Sequence, residues 1–140
     1  MSRFGRRIAF DYGDVRIGVA ICDPDGVLAT PLDFLLSKDP QLFEKITGLI
    51  DEFQPVKIYV GLPKQLSGSE DLAVLKAKEF SAKLQQRYGL EIAMIDERLS
   101  TVSAGIKLRN AGIDAKSAKS KIDSMAAVTI LEQGLAIDKK

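Results

Sequence analysis

The sequence predicts an α/β domain with a five-stranded mixed sheet flanked by helices. Up to about Leu36, three strand patterns follow one another through short turns, as in an antiparallel meander. From Asp39 onward, helical patterns alternate with two more strand patterns, which favours right-handed crossovers between parallel strands. We therefore expect strands one, four and five to lie parallel, with the meander on one flank and the strand order 3-2-1-4-5. A length of 140 residues fits one domain over residues 1–140.

The first two strands are predicted to form a hairpin over Ile8–Ala20. In the first strand the large apolar side chains share one face, and Asp11 lies on the other face among small residues. The turn carries Gly13 and Asp14, residue types that tolerate positive φ. Because an unpaired carboxylate is costly to bury, Asp11 is either a strand end at the surface or a group that is paired or bound to a cation.

The third strand completes the meander. It is predicted to follow a type I turn at Asp23–Gly26, which has proline second and glycine fourth, and to run from about Val27 to Leu36. Pro31 lacks the N–H that a central strand donates, so this strand is expected at the edge of the sheet.

The remaining elements are predicted from changes in hydrophobic period and from proline and glycine at their ends. They are a helix that begins at Asp39–Pro40 and stops before Pro55, a strand over Val56–Leu62, a helix over Ser69–Tyr88, a strand over Leu90–Ile95, a helix from Ser100 or Thr101 to Gly112, a polar linker over Ile113–Lys121, and a last helix from Ile122 to about Leu135. Ligands of such sheets collect beyond the carboxyl ends of the parallel strands. Asp11, Lys64 and Glu97 close or follow those strands, so we expect them at one edge.

The composition limits the possible chemistry. There is no histidine and only one cysteine, Cys22, which excludes Ser-His-Asp and Cys-His nucleophiles and metal sites built from histidine or several thiolates. Hydrolysis would then depend on carboxylates, lysines, hydroxyls or a cation held by oxygen ligands, which means Mg²⁺ or Mn²⁺. The formal charge of +1 gives no general attraction to nucleic acid. Because the sequence has no long apolar run and no signal-peptide pattern, the expected location is cytoplasmic.

Three acids that are distant in sequence are predicted to meet at this edge: Asp11, Glu97 and Asp123. Asp123 is expected in the first turn of the last helix, where it is either a charge that favours the helix dipole or a member of the site. Three converging carboxylates without a histidine repel one another, and divalent cations remove that repulsion. Two cations roughly 4 Å apart also activate water and stabilise the leaving oxygen of a phosphodiester. The three acids are therefore predicted catalytic metal ligands, whereas Asp96 faces away from Glu97 on an extended chain.

Basic residues between positions 107 and 121 precede Asp123 with a local excess of four positive charges. Such a run is either a solvated loop or a track for a phosphate backbone. The residues predicted to bind nucleic acid are Arg16, Lys64, Arg98, Lys116, Lys119 and Lys121. Arg98 could contact a phosphate or pair with an acid. The sequence shows no aromatic cluster suited to stacking bases, so little sequence readout is expected.

Four stretches of the chain resemble the bacterial YqgF family, in the right order and over nearly the whole length. They are Phe10–Ala20, Val60–Pro63, Asp96–Thr101 and Ile122–Ala127. Members of that family are described as Holliday junction resolvases and as nucleases that mature the precursor of 16S ribosomal RNA. The resemblance implies a ribonuclease H-like fold, a metal-dependent nuclease site with its acids at Asp11, Glu97 and Asp123, and a cytoplasmic role in ribosome maturation.

The chain departs from the family pattern at two places. Val15 stands where a lysine is common, and the linker ahead of Asp123 is less basic than is typical. The second difference bears on affinity for the substrate and not on the chemistry.

Three functions remain open at this stage. The first is a Mg²⁺- or Mn²⁺-dependent endonuclease for structured nucleic acid, with maturation of the 5′ end of precursor 16S rRNA favoured over cleavage of branched DNA. The second is a nucleotide-dependent phosphotransferase, although such enzymes need two lobes of this kind and the chain provides one. The third is a non-catalytic RNA-binding module. The oligomeric state, monomer or homodimer, is not predicted.

Overall fold

The structure, a computed structural model, describes residues 4–62, 71–96 and 124–139. Its elements are β1 (Arg7–Tyr12), β2 (Arg16–Cys22), β3 (Ala29–Leu36), α1 (Leu42–Phe53), β4 (Lys57–Leu62), α2 (Asp71–Tyr88), β5 (Glu91–Asp96) and α3 (Met125–Asp138). The strands form one sheet in the order β3-β2-β1-β4-β5. The β1–β2 and β2–β3 pairs are antiparallel, and the β1–β4 and β4–β5 pairs are parallel. The predicted fold class and strand order are confirmed.

The two faces of the sheet are covered by different helices. Ile8 and Phe10 of β1 pack on one face with buried side chains of α1 and α2. Ala9 packs on the other face with α3. The small side chains on this second face let α3 lie close to the sheet. At Gly134, a Cβ atom would come within 2.6 Å of the ring of Tyr59. None of the helices in the described part of the chain is long and apolar enough to cross a bilayer.

The turn between β1 and β2 forms for a different reason from the one predicted. Neither Gly13 nor Asp14 has a positive φ; among the described residues only Gly5, Gly26, Gly89 and Gln54 do. Glycine is needed at position 13 because a Cβ atom there would lie 2.6 Å from the carbonyl oxygen of Arg16. The turn is therefore set by close approach of two backbone segments.

The third strand is shorter than predicted. The turn forms as expected, with the Gly26 N–H donating to the carbonyl of Asp23 at 3.0 Å. The Asp23 carboxylate then accepts the N–H groups of Val27 and Leu28 at 2.7 and 2.9 Å, so these two residues belong to the turn, and β3 begins at Ala29. The edge position predicted from proline is confirmed, since β3 is the outer strand beside β2.

The helix boundaries also differ from the predicted ones. Helix α1 begins at Leu42, two residues later than predicted. The Asp39 carboxylate accepts the N–H of Gln41 at 2.9 Å, as an N-cap would, but residues 40 and 41 form a turn before the helix. Helix α3 runs from Met125 to Asp138, about three residues later than predicted at both ends. The predicted helix from Ser100 or Thr101 to Gly112 and the linker after it lie outside the described residues.

An ionic cluster fixes the C-terminal end of α3 to the sheet, at the edge opposite the carboxyl ends of the parallel strands. The Asp138 carboxylate accepts hydrogen bonds from Arg7 at 2.7 Å, Lys57 at 2.8 Å and the Tyr59 hydroxyl at 2.5 Å. Burial and the hydrogen bond to Asp138 raise the pKa of Tyr59, so the phenol stays protonated and donates. Burial also raises the pKa of the Cys22 thiol, which is part of the core on the same face of the sheet.

Candidate active site

Asp11 lies near the carboxyl end of β1 on the face that α3 covers. Strand alternation places its side chain on the same face as Ala9, which packs against α3, and opposite Phe10, which packs against α1 and α2. The residue is half-buried. Of the three acids predicted to meet, Asp11 is the one within the described residues.

Glycines flank Asp11 on both neighbouring strands. On β2 its register partner is Gly18. On β4, Val60 is the partner of Phe10, which places Gly61 at the level of Asp11. Glycine inside a strand leaves space for close approach of a ligand or another backbone, because it has no side chain to fill the face. The carboxylate therefore stands between two positions that lack side chains, on the α3 side of the sheet.

The start of α3 is fixed beside these residues. The Ser124 hydroxyl oxygen accepts a hydrogen bond of 3.0 Å from the backbone N–H of Val19, the residue after Gly18. Ser124 is fully buried and makes no side-chain hydrogen bond to its own helix. This contact joins the chain just after position 123 to the strand next to Asp11. Nothing in the sequence distinguishes Ser124 from an ordinary helix cap, so its link to β2 was not predicted.

The fifth strand ends at the same edge. Asp96 is the register partner of Leu62, so β4 and β5 finish level with each other. Ile95 packs in the cluster that contains α3, whereas Ile92 and Met94 pack on the α1 and α2 side. Odd-numbered residues of β5 therefore share a face with Asp11, and Asp96 points to the opposite face, as the sequence predicts.

Most other predicted site residues lie outside the described part of the chain. They are Glu97, Asp123, Lys64, Arg98, Lys116, Lys119 and Lys121. Arg16 is described at the start of β2, where it is exposed and its guanidinium carbon lies 5.1 Å from the centre of the Phe34 ring. Within the described ranges no three acidic, histidine or cysteine side chains form a metal-binding group. Two of the three expected ligands are not in those ranges.

The chemistry of Asp11, the one expected ligand in the described ranges, fits a hard divalent cation. Carboxylate oxygens are the ligands that Mg²⁺ and Mn²⁺ prefer. Gly18 and Gly61 add no side chain to the face of the sheet beside Asp11. The absence of histidine throughout the chain keeps the donor set to oxygen atoms.

Comparison with protein families decides among the functions left open. A family model described as "RuvX: Holliday junction resolvase" matches residues 5–137. The chain belongs to the RuvX family. This confirms the resemblance to the YqgF family drawn from the sequence, which is the same group.

Curated RuvX relatives agree with this assignment. The chain is 42% identical over 139 residues to a Streptomyces coelicolor protein named "Putative pre-16S rRNA nuclease", covering 98% of this chain and 83% of the relative. A Rhodococcus opacus protein of the same name is 42% identical over 135 residues, covering 91% of this chain and 75% of the relative. The family and these relatives confirm the prediction of a nuclease.

Solved structures show the shared fold. RuvC of T. thermophilus, solved in complex with a Holliday junction substrate, superposes with a TM-score of 0.64 over 96% of this RuvX chain and 95% of the RuvC chain, at 13% identity. A second structure of Thermus thermophilus RuvC gives a TM-score of 0.50, also at 13% identity and with 96% of each chain covered. At this identity the likeness establishes the fold, and it confirms the predicted ribonuclease H-like architecture.

Proposed function

We propose that this protein is a Mg²⁺- or Mn²⁺-dependent endonuclease that matures the 5′ end of precursor 16S rRNA in the cytoplasm. The observation that carries the proposal is the place of Asp11, a half-buried carboxylate on the α3 face between Gly18 and Gly61. A carboxylate at the carboxyl edge of parallel strands, where ligands of such sheets collect, suits a cation and a phosphodiester better than a packed core.

Three acids are proposed to hold the cation: Asp11, Glu97 and Asp123. Alternation along β5 supports Glu97, because Ile95 two residues earlier faces α3 and an extended continuation would turn position 97 the same way. The hydrogen bond between Ser124 and Val19 supports Asp123, since it fixes the neighbouring residue beside Asp11. When bound, two divalent cations would activate the attacking water and stabilise the leaving oxygen.

Basic side chains are proposed to hold the substrate backbone. They are Arg16, Lys64, Arg98, Lys116, Lys119 and Lys121. Arg16 supports this assignment by its exposed position at the start of β2, two residues before Gly18. A guanidinium is planar and carries several N–H donors, which suits a phosphate group.

RNA is the favoured substrate because the relatives at about 42% identity are named for the precursor of 16S rRNA. A second candidate is a Holliday junction in DNA, which the description of the family favours. The two substrates give different products. An rRNA precursor is cut in one strand, whereas resolution of a junction requires a pair of cuts in two strands.

One experiment separates these candidates. Purified full-length protein is incubated, with Mg²⁺ or Mn²⁺, with an RNA that spans the 5′ end of 16S rRNA and with a four-way DNA junction. We expect cleavage of the RNA at one position by the wild-type protein and none by Asp11→Asn. Paired cuts in the junction alone would assign the resolvase activity. Tight RNA binding without any cleavage, equal in both proteins, would assign the non-catalytic module.

A further inference from the structure

A cleft opens at the same edge of the sheet as Asp11 but on the opposite face. Its volume is about 290 Å³, and it lies between the β1–β2 turn, the segment after β3 and the facing sides of α1 and α2. Tyr12 closes the cleft on the sheet side. Because Tyr12 directly follows Asp11 in β1, the two side chains point to opposite faces from adjacent positions. The candidate active site and this cleft thus share one strand end.

Three aromatic rings form the floor of the cleft. The ring centres of Tyr12 and Phe80 are 4.9 Å apart, and those of Phe43 and Phe80 are 6.3 Å apart. Phe80 is buried at 4% exposure, while Tyr12 and Phe43 are partly exposed. The cluster was missed in the sequence because its members come from three separate elements. Of these rings Tyr12 is the one best placed to meet a base, because Phe80 is nearly fully buried and the guanidinium carbon of Arg87 lies 4.2 Å from the centre of the Phe43 ring.

Three lysines surround this floor: Lys38, Lys76 and Lys83. Lys76 forms an ion pair of 2.8 Å with Asp14 in the β1–β2 turn, and Asp14 is 70% exposed. The hydrogen bond from Lys76, its charge and the more distant charge of Lys38 lower the pKa of Asp14. Asp14 and Glu79 also line the cleft, so its three lysines exceed its two carboxylates by one positive charge.

The walls of the cleft are held in place before any ligand binds. The Ser37 hydroxyl donates a short hydrogen bond to the carbonyl oxygen of Gly13, and the Ser37 N–H donates to the carbonyl oxygen of Val15 at 2.9 Å. On the other side, Lys76 of α2 holds Asp14 of the same turn. A preformed cleft loses little conformational entropy when it binds a ligand.

An aromatic floor with ammonium groups at the rim suits one nucleotide. Aromatic rings stack on bases without regard to their identity, and lysines neutralise the adjoining phosphate. A cavity of about 290 Å³ is at the lower end of the range for small ligands, which fits a single nucleotide and is too small for a duplex.

We propose that this cleft binds one unpaired nucleotide of the nucleic-acid substrate, within a few nucleotides of the bond that is cut. The strand would pass over the Gly13–Val15 turn, with its scissile phosphate on the Asp11 side and the flanking base against Tyr12. This inference rests on the proposed nuclease function and adds a subsite to it. It also gives the enzyme a preference for substrates with single-stranded nucleotides beside the cut.

The first test uses charge reversal. In the Asp11→Asn background, which prevents cleavage, affinity for a fluorescein-labelled single-stranded RNA is measured by anisotropy over a range of salt concentrations. We expect Lys38→Glu and Lys83→Glu each to weaken binding about tenfold at 0.1 M salt and to flatten the salt dependence by about one unit of slope. The matched control is Lys78→Glu, an exposed lysine of α2 outside the cleft, for which affinity should stay within about twofold.

The second test uses abasic RNA, which leaves the protein unchanged. Replacing one base at a time should weaken binding about tenfold at a single position close to the cut. In the Tyr12→Leu variant, which keeps an apolar side chain against Phe80, that position should lose its effect. Adenosine monophosphate and inorganic phosphate serve as free competitors and should displace the RNA only weakly.

The outcomes separate the two proposals. If the wild-type protein cleaves RNA but the cleft variants bind it as well as Lys78→Glu does, the subsite is wrong and the nuclease stands. If the variants lose affinity for adenosine monophosphate but not for RNA, the cleft binds a free nucleotide and the subsite is again wrong. Failure of the parent protein to bind RNA at all would overturn both.

Discussion

The hydroxyl oxygen of Ser124 accepts a hydrogen bond from the backbone N–H of Val19, which lies 105 residues earlier in the chain. The contact falls where the β2–β3 ladder shifts register between Ile17 and Val19, so a side chain from α3 supplies an acceptor where the ladder is irregular. Because Val19 follows Gly18, the partner of Asp11, the same hydrogen bond joins α3 to the candidate active site.

Replacing Ser124 by alanine should destabilise the protein. A buried N–H that loses its acceptor costs about 1–3 kcal/mol, and we expect a decrease of about 2 kcal/mol in the free energy of unfolding, measured with urea. Thr129→Ala is the matched control, since its buried hydroxyl donates to the Met125 carbonyl within α3. The control should lose about 1 kcal/mol, mainly from one buried methyl group. Equal losses in the two variants would show that the Val19 contact does not stabilise the fold.

Replacing Gly134 or Gly48, each within a helix, by alanine should change the stability of the protein in opposite directions. At Gly134 a Cβ atom would lie 2.6 Å from the ring of Tyr59, which is fully buried and bonded to Asp138, so the ring has no room to move. We expect Gly134→Ala to destabilise the protein by about 1–3 kcal/mol despite the better helix propensity of alanine. At Gly48 no atom lies within 4 Å of the added Cβ, so Gly48→Ala should stabilise by about 0.5–1 kcal/mol.

Thermal unfolding of both variants checks this pair. A stabilised Gly134→Ala protein would mean that α3 can move away from the sheet at little cost. The close packing of α3 against Tyr59 would then not explain the glycine.

The order of the elements could be predicted from the sequence because it depends on hydrophobic period and on proline and glycine at element ends. The boundaries of the elements could not be predicted, because they depend on hydrogen bonds that the hydrophobic pattern does not show. The Asp23 carboxylate accepts two backbone N–H groups before β3, and the Asp39 carboxylate accepts one in the turn before α1. Side chains of aspartate compete with regular structure in this way.

The candidate site likewise contains residues that the sequence predicts and contacts that it does not. Asp11 could be predicted, because a carboxylate on a strand face is conspicuous in the sequence. The contact of Ser124 with Val19 and the ring cluster of Tyr12, Phe43 and Phe80 could not, since they join residues far apart in the chain. The structure supplies these long-range pairs.

Acid should weaken the ionic cluster at the other edge of the sheet. Partial burial of Asp138 acts to raise its pKa, but hydrogen bonds from Lys57 and Tyr59 and the charge of Arg7 outweigh burial, and the pKa is lowered. A carboxyl group with a lowered pKa stabilises the folded state above its unfolded pKa of about 3.9, and that stability is lost as the pH falls through its folded value. The contribution should therefore be complete at pH 7 and disappear at pH values well below about 4.

The variant Asp138→Asn tests this pH dependence. At pH 7 we expect it to lower the free energy of unfolding by about 2 kcal/mol, because Arg7 and Lys57, both about one-tenth exposed, lose the carboxylate that they share, although Lys57 keeps its ion pair with Glu91. The difference from wild type should shrink as the pH falls towards 3. Asp51→Asn, at an exposed position of α1, is the control and should change little at any pH. A difference that stays constant with pH would show that packing, and not charge, is what Asp138 contributes.

Removal of the carboxylate charge at position 11 should weaken metal binding and abolish cleavage without unfolding the protein. Asp11→Asn keeps the shape of the side chain but removes a hard anionic ligand, so cleavage should fall at least about a thousandfold, equivalent to several kcal/mol of lost stabilisation at the transition state.

Calorimetric titration with Mn²⁺ should show weaker binding by the same variant. Because asparagine has nearly the same shape as aspartate, the thermal stability of the variant in chelator should stay close to that of the wild type. Asp25→Asn, an equal change of charge in the exposed β2–β3 turn, controls for net charge and should keep full activity. Full cleavage by Asp11→Asn, or wild-type cleavage that persists in chelator, would exclude a cation held at Asp11 from the reaction.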